Sequence, residues 1–463
     1  MAARFLSILK GGRAGASLLM VALATVLSGA ACAAGIWDTG VAQNLGSGVT
    51  VVPVPVAAPV LNTEPGLFPT AAPIHSSGSI SNPSEVLASI TTQDSWRETD
   101  SEVKASTVPS AAETADQSCR AKDRLEAECL RILYKNVPAQ WPAPTIDPGQ
   151  PWQEWGPVPG PGSSAQPQAA EDARNTQIVS LGARLFFDKQ LSRKKQISCA
   201  SCHQPDKSFT DGKASAVGED GLMGKRRTPP LFAAPFAKAL FWDGRANTLQ
   251  EQVVGPIENP LEMNHALSDL MPRLQESEDY RQAFQQAFGA SSSNPIDAAR
   301  LARALAAYVV TLRPAATRFD DFIAGDTAAL NDQELIGLHL FRTKARCMNC
   351  HNGPMLTDNG FHNIGLSFYG RRLQDLGRFE WSRDPADLGL FRTPSLRNVA
   401  KAGPWMHNGL FPSLDGLLRM YDAAMGPDPK ETGPLVPRKS ERIRELNLSD
   451  EEIQALRAFL EVL

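Results

Sequence analysis

The sequence predicts an all-α protein whose helices form two consecutive modules behind a long N-terminal extension. Apolar residues recur at the three- to four-residue spacing of a helix in segments such as 178–188, 294–313 and 331–344. Strand-like alternation is scarce over the same part of the chain. Each of the two predicted modules, residues 173–328 and 329–463, also contains one Cys-x-x-Cys-His motif.

The chain has the composition of a globular protein of two or three domains. Its 463 residues are 42% hydrophobic and 21% charged, which is sufficient for a sizeable core. The formal net charge is −4, whereas a nucleic-acid-binding domain usually carries a strongly basic face. We therefore expect no nucleic-acid partner.

Residues 1–34 have the pattern of a secretory signal peptide. Basic residues within the first 13 positions precede an apolar run that ends in small residues. The run is too short to indicate a membrane span, so we expect a mature chain without one, exported to the periplasm. Cys32 is a candidate lipid anchor, although Gly29 stands where a lipoprotein signal has a large aliphatic residue.

Two further segments precede the modules. Residues 35–111 are rich in Val, Pro, Ala, Ser and Thr without a lasting period, which predicts a largely disordered, low-complexity tether. Residues 112–172 are predicted to form a short helical segment, up to residue 135, followed by a Pro/Gly-rich linker or an extended strap over a domain.

The short helical segment contains Cys119 and Cys129, ten positions apart. On a straight helix this separation is about 15 Å, which is too long for a disulfide. A bridge within the chain would therefore require a break or a helical hairpin. A bridge to a partner chain and two free thiols are the alternatives.

Local patterns mark some of the helix ends. Pro295 suits the first turn of the helix predicted over 294–313. Ser449 and Glu452 form a capping-box pattern at the start of the last helix. Another helix is predicted over 413–425, from its apolar spacing.

The two Cys-x-x-Cys-His motifs have the pattern of c-type haem attachment. In that pattern the two thiols add to the vinyl groups of the porphyrin, and the histidine becomes the proximal ligand of the iron. A zinc site would need four well-placed ligands, and a thioredoxin-like pair would need a βαβ context, so haem is the favoured interpretation. The residues concerned are Cys199, Cys202, His203, Cys347, Cys350 and His351.

Longer motifs around these sites resemble the bacterial di-haem cytochrome c peroxidases and their MauG-like relatives. The resemblance extends over residues 176–463. It is carried by four stretches, 181–192, 241–263, 361–366 and 391–409. It implies two consecutive α-helical cytochrome c-like domains, each with one covalently bound haem c.

The resemblance also implies an active site at the first haem. Trp242 matches a tryptophan between the two haems, where an indole shortens the steps of electron transfer. Gln252 and Glu262 match the residues of the peroxide pocket, and a carboxylate there can move a proton from the near to the far oxygen of hydrogen peroxide. These three residues are the candidate catalytic groups.

The first haem is predicted to lack a second protein ligand. Many peroxidases of the family place a histidine on that iron, but residues 204–227, which would supply it, contain none. His265 lies just beyond Glu262, and Met223 is the remaining candidate, although a thioether is a weak ligand of ferric iron. We infer a five-coordinate iron, which is the MauG-like arrangement.

Tyr421 matches the position of the second axial ligand at the second haem. MauG-like proteins use a tyrosine there, whereas the peroxidases use a methionine. Met420 is one residue away, about 100° around a helix, and Met425 lies one helical turn beyond on the same side, so both remain alternatives. A thioether stabilises ferrous iron, whereas a phenolate stabilises higher oxidation states.

Arg227 argues against the calcium ion that the family often binds between the haems. It stands at the position of an asparagine ligand, while Ala402 and Pro404 match the positions of carbonyl ligands. A guanidinium does not ligate calcium. Either its charge replaces the ion, or a neighbouring residue supplies the ligand and calcium is retained.

Three other histidines are interpreted as supporting groups. His362 and His407 lie within the family motifs near the second haem, and we expect them to be hydrogen-bonding or propionate partners rather than iron ligands. His339 lies on an amphipathic helix and is expected to be structural.

The resemblance implies an oxidoreductase. The favoured function is that of a MauG-like enzyme, which uses hydrogen peroxide to form a high-valent di-haem intermediate and oxidises a side chain, typically tryptophan, of a partner protein. The alternative is a periplasmic cytochrome c peroxidase, which reduces hydrogen peroxide to water with electrons from a small cytochrome c or a cupredoxin. A di-haem electron carrier is disfavoured, because a carrier needs no acid–base pair over an open iron.

Overall fold

The computed structural model describes residues 116–121, 124–289 and 294–463. The predicted signal peptide, with Cys32, and the predicted tether lie outside the described residues. In the described part the fold is helix-rich with little sheet, as the sequence predicts. None of the helices in this part is long and apolar enough to cross a membrane.

The helices and strands have the following bounds. The described α-helices are α1 (Ala127–Leu133), α2 (Pro167–Asp172), α3 (Thr176–Phe187), α4 (Cys199–Cys202), α5 (Leu249–Glu258), α6 (Leu267–Gln275), α7 (Glu278–Phe288), α8 (Ala298–Thr311), α9 (Arg318–Ile323), α10 (Asp332–Arg342), α11 (Phe379–Ser382), α12 (Leu414–Asp422) and α13 (Asp450–Leu460). The strands pair antiparallel as β1 (Arg120–Ala121) with β2 (Arg124–Leu125), and β3 (Phe361–His362) with β4 (Phe391–Arg392). Single 3-10 turns occur at Pro138–Gln140, Pro161–Ser163, Lys189–Leu191, Pro205–Lys207, Ala234–Phe236, Cys347–Asn349, Pro385–Asp387 and Val399–Lys401.

Helices α3 and α8 cross at a glycine. A Cβ atom on Gly182 of α3 would overlap the backbone carbonyl of Ala304 on α8, so the two backbones approach more closely than a side chain would allow. The apolar faces of α3, α6, α7 and α8 meet around this crossing. This first core includes the buried residues Leu185, Leu274, Phe284, Leu301 and Leu305.

Helices α10 and α13 cross in the same way. A Cβ atom on Gly337 of α10 would overlap the backbone carbonyl of Ala455 on α13. Each Cys-x-x-Cys-His motif therefore follows, along the chain, the first helix of such a crossing pair. The second core around α9, α10 and α13 includes the buried residues Phe319, Leu338, Phe341, Leu456 and Phe459.

Residues 124–163, here called the strap, pack on the second core. Trp141 and Trp155 of the strap are buried among aromatic rings of α9, α10 and α13. Glu154 accepts two hydrogen bonds, of 2.6 and 2.8 Å, from the guanidinium of the fully buried Arg342. The strap thus contributes both core residues and one half of a buried ion pair.

The continuous helix predicted up to residue 135 is wrong. Strands β1 and β2 pair antiparallel, with Arg120 opposite Leu125, and α1 begins only at Ala127. The reversal of the chain brings Cys119 and Cys129 to a Cα–Cα distance of 5.4 Å, and they form a disulfide. Of the alternatives that the sequence left open, a bridge across a break in the helix is the one observed.

Most of the other predicted helices are confirmed, but one start differs. Helices α3, α10 and α13 lie where the apolar spacing predicts them, and the Ser449–Glu452 capping box is present. Helix α8 begins at Ala298, because the side chain of Asp297 caps it. Pro295 therefore lies before this helix, and its predicted place in the first turn is wrong.

The packing of the described residues does not locate the boundary between the two predicted modules. The two cores separate along the chain near residue 315, but the described residues fall in a single compact unit. The boundary between residues 328 and 329 therefore stays a prediction.

Candidate active site

One cavity beside the first core brings together the first Cys-x-x-Cys-His motif and the predicted pocket residues. Its cavity volume is about 70 Å³, and it is partly open to solvent. Its walls are mostly apolar, as expected for a cofactor pocket, and they come from α3, α5 and α8 and from the segments between the helices. The lining residues that carry chemistry are Cys199, Cys202, His203, Gln252 and Glu262.

The backbone around the first motif fixes the direction of His203. Helix α4, which Ser198 caps, ends at Cys202, so His203 directly follows it. The Nδ1 atom of His203 lies 2.8 Å from the carbonyl oxygen of Phe209. A contact of this kind orients a metal-ligating histidine and leaves Nε2 for the metal. Burial lowers the pKa of His203, so its ring is neutral, which is the form that binds iron.

Gln252 and Glu262 reach the cavity from one helix and the turn after it. Gln252 lies on α5, and Glu262 lies shortly beyond the end of that helix. The side-chain amide of Asn259 donates a hydrogen bond of 2.7 Å to Glu262. Burial raises the pKa of Glu262 and outweighs the opposing effect of this hydrogen bond.

The two candidate blocking residues do not line the cavity. The side chain of Met223 is on the surface, 65% exposed. The buried ring of His265 has Nδ1 at 3.0 Å from the carbonyl oxygen of Leu191. Met263 does line the cavity, but it packs within the apolar first core. The positions of Met223 and His265 therefore do not support a second protein ligand from either of them.

Trp242 is a buried indole, held by segments from both predicted modules. It is 7% exposed, and its Nε1 donates a hydrogen bond of 3.1 Å to the carbonyl of Arg227. Its own carbonyl accepts a hydrogen bond of 2.8 Å from the backbone amide of Arg392. The ring of His407 meets the indole edge-on, at a centroid distance of 6.4 Å. The orientation of Trp242 is thus fixed on several sides.

Arg227 occupies the position at which the resemblance implies calcium. Its guanidinium donates a hydrogen bond to the carbonyl of Ala402, and its backbone amide donates one of 2.8 Å to the carbonyl of His407. Burial lowers the pKa of Arg227 to about 10, against the opposing effect of the nearby Asp211. The side chain therefore remains a cation at neutral pH.

The second motif is held in the same manner as the first. Its first cysteine begins a 3-10 turn, and the Nδ1 atom of His351 lies 3.1 Å from the carbonyl oxygen of Leu356. Burial lowers the pKa of His351. Trp155 of the strap donates a hydrogen bond from Nε1 to the carbonyl of His351, at 3.3 Å. The strap therefore contacts the backbone of this candidate ligand.

Tyr421 lies near the end of α12, half-buried against the second core. Burial raises its pKa, and the nearby Cys350 and Cys347 add to this effect, so the ring is close to the second motif. Helix α12 ends at Asp422, and Met425 has a φ of 59°. The prediction that Met425 lies one helical turn beyond Tyr421 is wrong, because the chain leaves the helix first.

The groups around both motifs fit covalently attached haem. All the motif cysteines are free thiols, and both motif histidines use Nδ1 for a backbone contact. Arg392, beside Trp242, is half-buried, and its buried Nη1 atom has no hydrogen-bond partner in the described part of the chain. A buried donor of this kind needs an acceptor, and a haem propionate would provide one.

A further polar group lies beside the second motif. His362 and Asp358 are joined by a hydrogen bond of 2.7 Å, and Arg442 lies 3.2 Å from the Nε2 atom of His362. Cys350 places its sulfur within 4.8 Å of the ligand-type atoms of this pair. Because Cys350 belongs to the haem-attachment motif, we interpret the group as part of the surroundings of the haem and not as a separate metal site.

Comparison with known proteins identifies the family. The family model described as di-haem cytochrome c peroxidase matches residues 176–328. The chain is 39% identical over 249 residues to the methylamine utilization protein MauG of Methylophilus methylotrophus, which covers 52% of this chain and 71% of the relative. The chain belongs to the di-haem cytochrome c peroxidase family.

Other members of the di-haem cytochrome c peroxidase family are similar over comparable lengths. The chain is 34% identical over 247 residues to cytochrome c551 peroxidase of Nitrosomonas europaea, covering 53% of this chain and 72% of the relative. A solved MauG-like protein associated with microbial copper homeostasis is 29% identical, with a TM-score of 0.57, and the match covers 69% of this chain and 95% of that one.

Membership of the di-haem cytochrome c peroxidase family makes the protein an oxidoreductase. It implies two haem cofactors and hydrogen peroxide as a substrate. MauG and peroxidases both occur among the relatives, so membership does not choose between the two predicted functions.

Sequence reasoning missed two residues that contact the site. Asn259 lies three positions before Glu262, in a turn where an asparagine usually serves the backbone. Trp155 lies in a proline-rich segment that has no period. The available signal was the number of tryptophans in that segment, which is unusual for a solvated linker.

Proposed function

We propose that this protein is a MauG-like di-haem oxidoreductase that uses hydrogen peroxide to oxidise a side chain, a tryptophan, of a partner protein. The observation that carries the proposal is that Gln252 and Glu262 line the same cavity as His203, whereas Met223 and His265 do not. A site of this family without a blocking ligand is ready for peroxide in its resting state.

Each haem would be attached by the thiols of one motif and held by its histidine. The cytochrome c-like domains would be residues 173–328, built around the α3–α8 crossing, and residues 329–463, built around the α10–α13 crossing. The haems, when bound, would take up the oxidising equivalents of hydrogen peroxide and release them as single-electron oxidations. His203 and His351 would be the proximal ligands, with Tyr421 as the second ligand at the second haem.

Glu262 would act as the general base and then the general acid. Its carboxylate would accept a proton from the near oxygen of hydrogen peroxide and return it to the far oxygen. The raised pKa suits this role, because a group that must both accept and release a proton works best when its pKa approaches the working pH. Asn259 would hold the carboxyl group in place, and the Gln252 amide would orient the peroxide.

Trp242 would carry electrons between the two haems. The proposal is supported by its burial and by its contacts with residues of both predicted modules. A fixed indole needs little rearrangement when it gains or loses an electron. The same contacts would keep water away from the ring.

Tyr421 supports the MauG-like function over the peroxidase. A phenolate is a hard, anionic donor that stabilises higher oxidation states of iron, whereas a thioether favours the ferrous state. Tyr421 lies close to the second motif. Met420 and Met425 remain the alternative ligands, although Met425 lies beyond the end of α12.

Arg227 would take the place of calcium. Its guanidinium already donates to the Ala402 carbonyl, one of the carbonyls expected to hold the ion. A buried guanidinium at this point would always provide the positive charge that a calcium ion provides only while it is bound. We therefore propose that the protein functions without calcium.

The alternative function is that of a cytochrome c peroxidase, which would reduce hydrogen peroxide to water with electrons from a small cytochrome c or a cupredoxin. It is favoured by the 34% identity to a cytochrome c551 peroxidase over nearly the same length as the match to MauG. A methionine ligand at the second haem would support it.

We also propose that the protein is exported to the periplasm. The pattern of residues 1–34 supports export. The disulfide between Cys119 and Cys129 is a second support, because disulfides persist mainly in oxidising compartments. A lipid anchor at Cys32 remains the alternative to a cleaved signal peptide.

The reaction of the ferric holoprotein with one equivalent of hydrogen peroxide tests the function. We expect electron paramagnetic resonance of the resting protein to show one high-spin and one low-spin haem. Peroxide should then change the absorption of both haems and give a long-lived product without prior reduction. Glu262→Gln should slow this reaction by about 10²–10⁴-fold, whereas Glu258→Gln, at an exposed glutamate that ends α5, should not.

A different result would support the cytochrome c peroxidase. In that case the ferric protein would not react with hydrogen peroxide, and a reaction would begin only after one haem had been reduced. The partner is tested separately. The peroxide-treated protein is incubated with the product of a neighbouring gene, and mass spectrometry measures oxidation of the tryptophans of that product.

A further inference from the structure

The strap contains a chain of aromatic side chains that the proposed function does not use. Trp155 donates its indole hydrogen bond to the carbonyl of His351. The rings of Trp155 and Trp141 meet edge-on with centroids 6.5 Å apart, and those of Trp141 and Tyr134 meet edge-on at 5.1 Å. The three rings form a continuous path from the backbone of the second proximal histidine to Tyr134.

Tyr134 ends this path at a proton acceptor. Its hydroxyl oxygen lies 2.7 Å from Nδ1 of His339, and Nε2 of His339 lies 3.2 Å from the carboxylate of Asp116. With its proton on Nε2, His339 donates to Asp116 and accepts from Tyr134. Burial raises the pKa of Asp116, but hydrogen bonds from His339 and Arg120 outweigh it and lower the pKa to about 2. The carboxylate is thus ionised and lies on the far side of the His339 ring from Tyr134.

The contact with His339 distinguishes Tyr134 from a tyrosine that only fills space in the core. Tyr134 is 2% exposed, so its hydroxyl needs a partner, and a backbone carbonyl would be sufficient for that purpose. The partner here is a base with a carboxylate behind it. Such an arrangement can take the phenolic proton when the ring loses an electron.

The charge beside the three rings is balanced. The guanidinium of Arg342 lies 5.2 Å from the ring centroids of both Trp141 and Trp155, and 6.0 Å from that of Tyr134. A lone cation there would oppose the removal of an electron from each ring. The two hydrogen bonds to Glu154 neutralise it, so the rings remain oxidisable.

We propose that Tyr134 is a redox-active residue that supplies one electron, through Trp141 and Trp155, to the haem pair after its oxidation by hydrogen peroxide. The inference rests on the proposed function, which supplies that oxidant. The electron leaves the Tyr134 ring as its O–H bond breaks, the proton moves to Nδ1 of His339, and a neutral tyrosyl radical remains. One hydrogen peroxide provides two oxidising equivalents, of which Tyr134 takes one and the haem pair keeps the other.

The consequence is an oxidising equivalent stored away from the peroxide cavity. Tyr134, Trp141 and Trp155 all precede residue 176, where the match to the family model begins. The strap would therefore add a redox site to a domain pair that has its own site at the first haem.

Freeze-quenched electron paramagnetic resonance tests the proposal. The holoprotein, with ring-deuterated tyrosine, is mixed with one equivalent of hydrogen peroxide in the absence of any partner. We expect a radical signal that deuteration narrows, and its loss in both Tyr134→Phe and Trp155→Phe. Tyr280→Phe is the matched control and should keep the signal, because Tyr280 is a buried tyrosine that donates to the carboxylate of Asp188 in the first core.

Further variants secure the interpretation. Trp141→Phe interrupts the path at a second point and should also abolish the signal, so the result does not depend on the folding of one variant. Thermal unfolding and the absorption of both haems establish that each variant is intact. His339→Gln keeps a hydrogen-bonding side chain without the base and should also lose the signal.

Three results would overturn the proposal. They are a tyrosyl signal in Tyr134→Phe, a signal that survives both tryptophan variants, and a wild-type protein whose haems react completely without any tyrosyl signal. A wild-type protein whose haems do not react with peroxide at all would refute the proposed function, and this inference with it.

Discussion

The guanidinium of Arg227 donates a hydrogen bond to the carbonyl of Ala402, within a motif more than 170 residues further along the chain. The backbone carbonyl of Arg227 also accepts the hydrogen bond from the indole of Trp242. One buried arginine therefore joins the segment that carries the proposed electron bridge to the segment that follows the second motif.

The first prediction concerns calcium. The thermal unfolding of the wild-type protein should not change when EDTA or calcium is added, because Arg227 already provides the cation. Arg227→Asn should unfold more readily, by about 1–3 kcal/mol, because the buried Ala402 carbonyl loses its donor. Added calcium should restore part of that loss in Arg227→Asn. Arg227→Lys keeps the positive charge, so added calcium should not change its thermal unfolding. A wild-type protein that EDTA destabilises would contradict the prediction.

The second prediction concerns the pH dependence of the reaction with peroxide. Glu262 accepts a proton only when it is ionised, so the rate should rise with pH through a pKa above the ordinary glutamate value of 4.5, because burial raises it. Asn259→Ala removes a hydrogen bond that favours the ionised form, so this rising limb should move to higher pH. Stopped-flow absorption from pH 4 to pH 8 measures it. A limb that moves to lower pH, or not at all, would show that another group accepts the proton.

The third prediction concerns the second axial ligand. Tyr421→Met should raise the reduction potential of one haem and diminish the oxidation of a partner protein, while mass spectrometry still finds both haems attached. Potentiometric titration followed by absorption measures the potential. Met425→Leu and Met420→Leu are the matched controls and should leave the potential unchanged. A shift in either leucine variant, without one in Tyr421→Met, would assign the ligand to sulfur.

The fourth prediction concerns the two helix crossings. Gly182→Ala and Gly337→Ala should each lower the free energy of unfolding by about 1–3 kcal/mol, because the added Cβ meets a backbone carbonyl that cannot turn aside. Chemical denaturation of the holoprotein measures the change. Gly160→Ala, where a Cβ would meet no atom within 4 Å, is the control. If both glycine variants unfold with the same free energy as the wild-type protein, the two helices of each pair can move apart to accommodate the added methyl group, and the prediction is wrong.

The sequence predicts the helices and the cavity residues well, for reasons that are local or motif-based. Helix α13 has a capping box and a regular apolar face, and both are properties of consecutive residues. Gln252 and Glu262 are found through one long motif, which fixes their spacing along a helix and the turn after it. Their convergence with His203 in one cavity follows from that motif.

The strap could not be predicted in the same way. Beyond α1 its backbone is mostly irregular, so Trp141 and Trp155 carry no period that would mark them as core residues. The disulfide was not predicted for a related reason, because the helical composition around Cys119 masks the chain reversal between β1 and β2. The hydrogen bond between Tyr134 and His339 joins residues 205 positions apart, and no local pattern encodes such a pair.

The ion pair between Glu154 and Arg342 decides where this chain can be cut. A fragment trimmed to begin at residue 176, where the match to the family model begins, would leave the guanidinium of Arg342 in an apolar interior without its counter-ion. Removal of one partner of a buried pair costs about 3–5 kcal/mol, a large share of the margin by which a domain stays folded. A fragment that folds by itself must therefore include Glu154, which lies upstream of the residues that the family model matches.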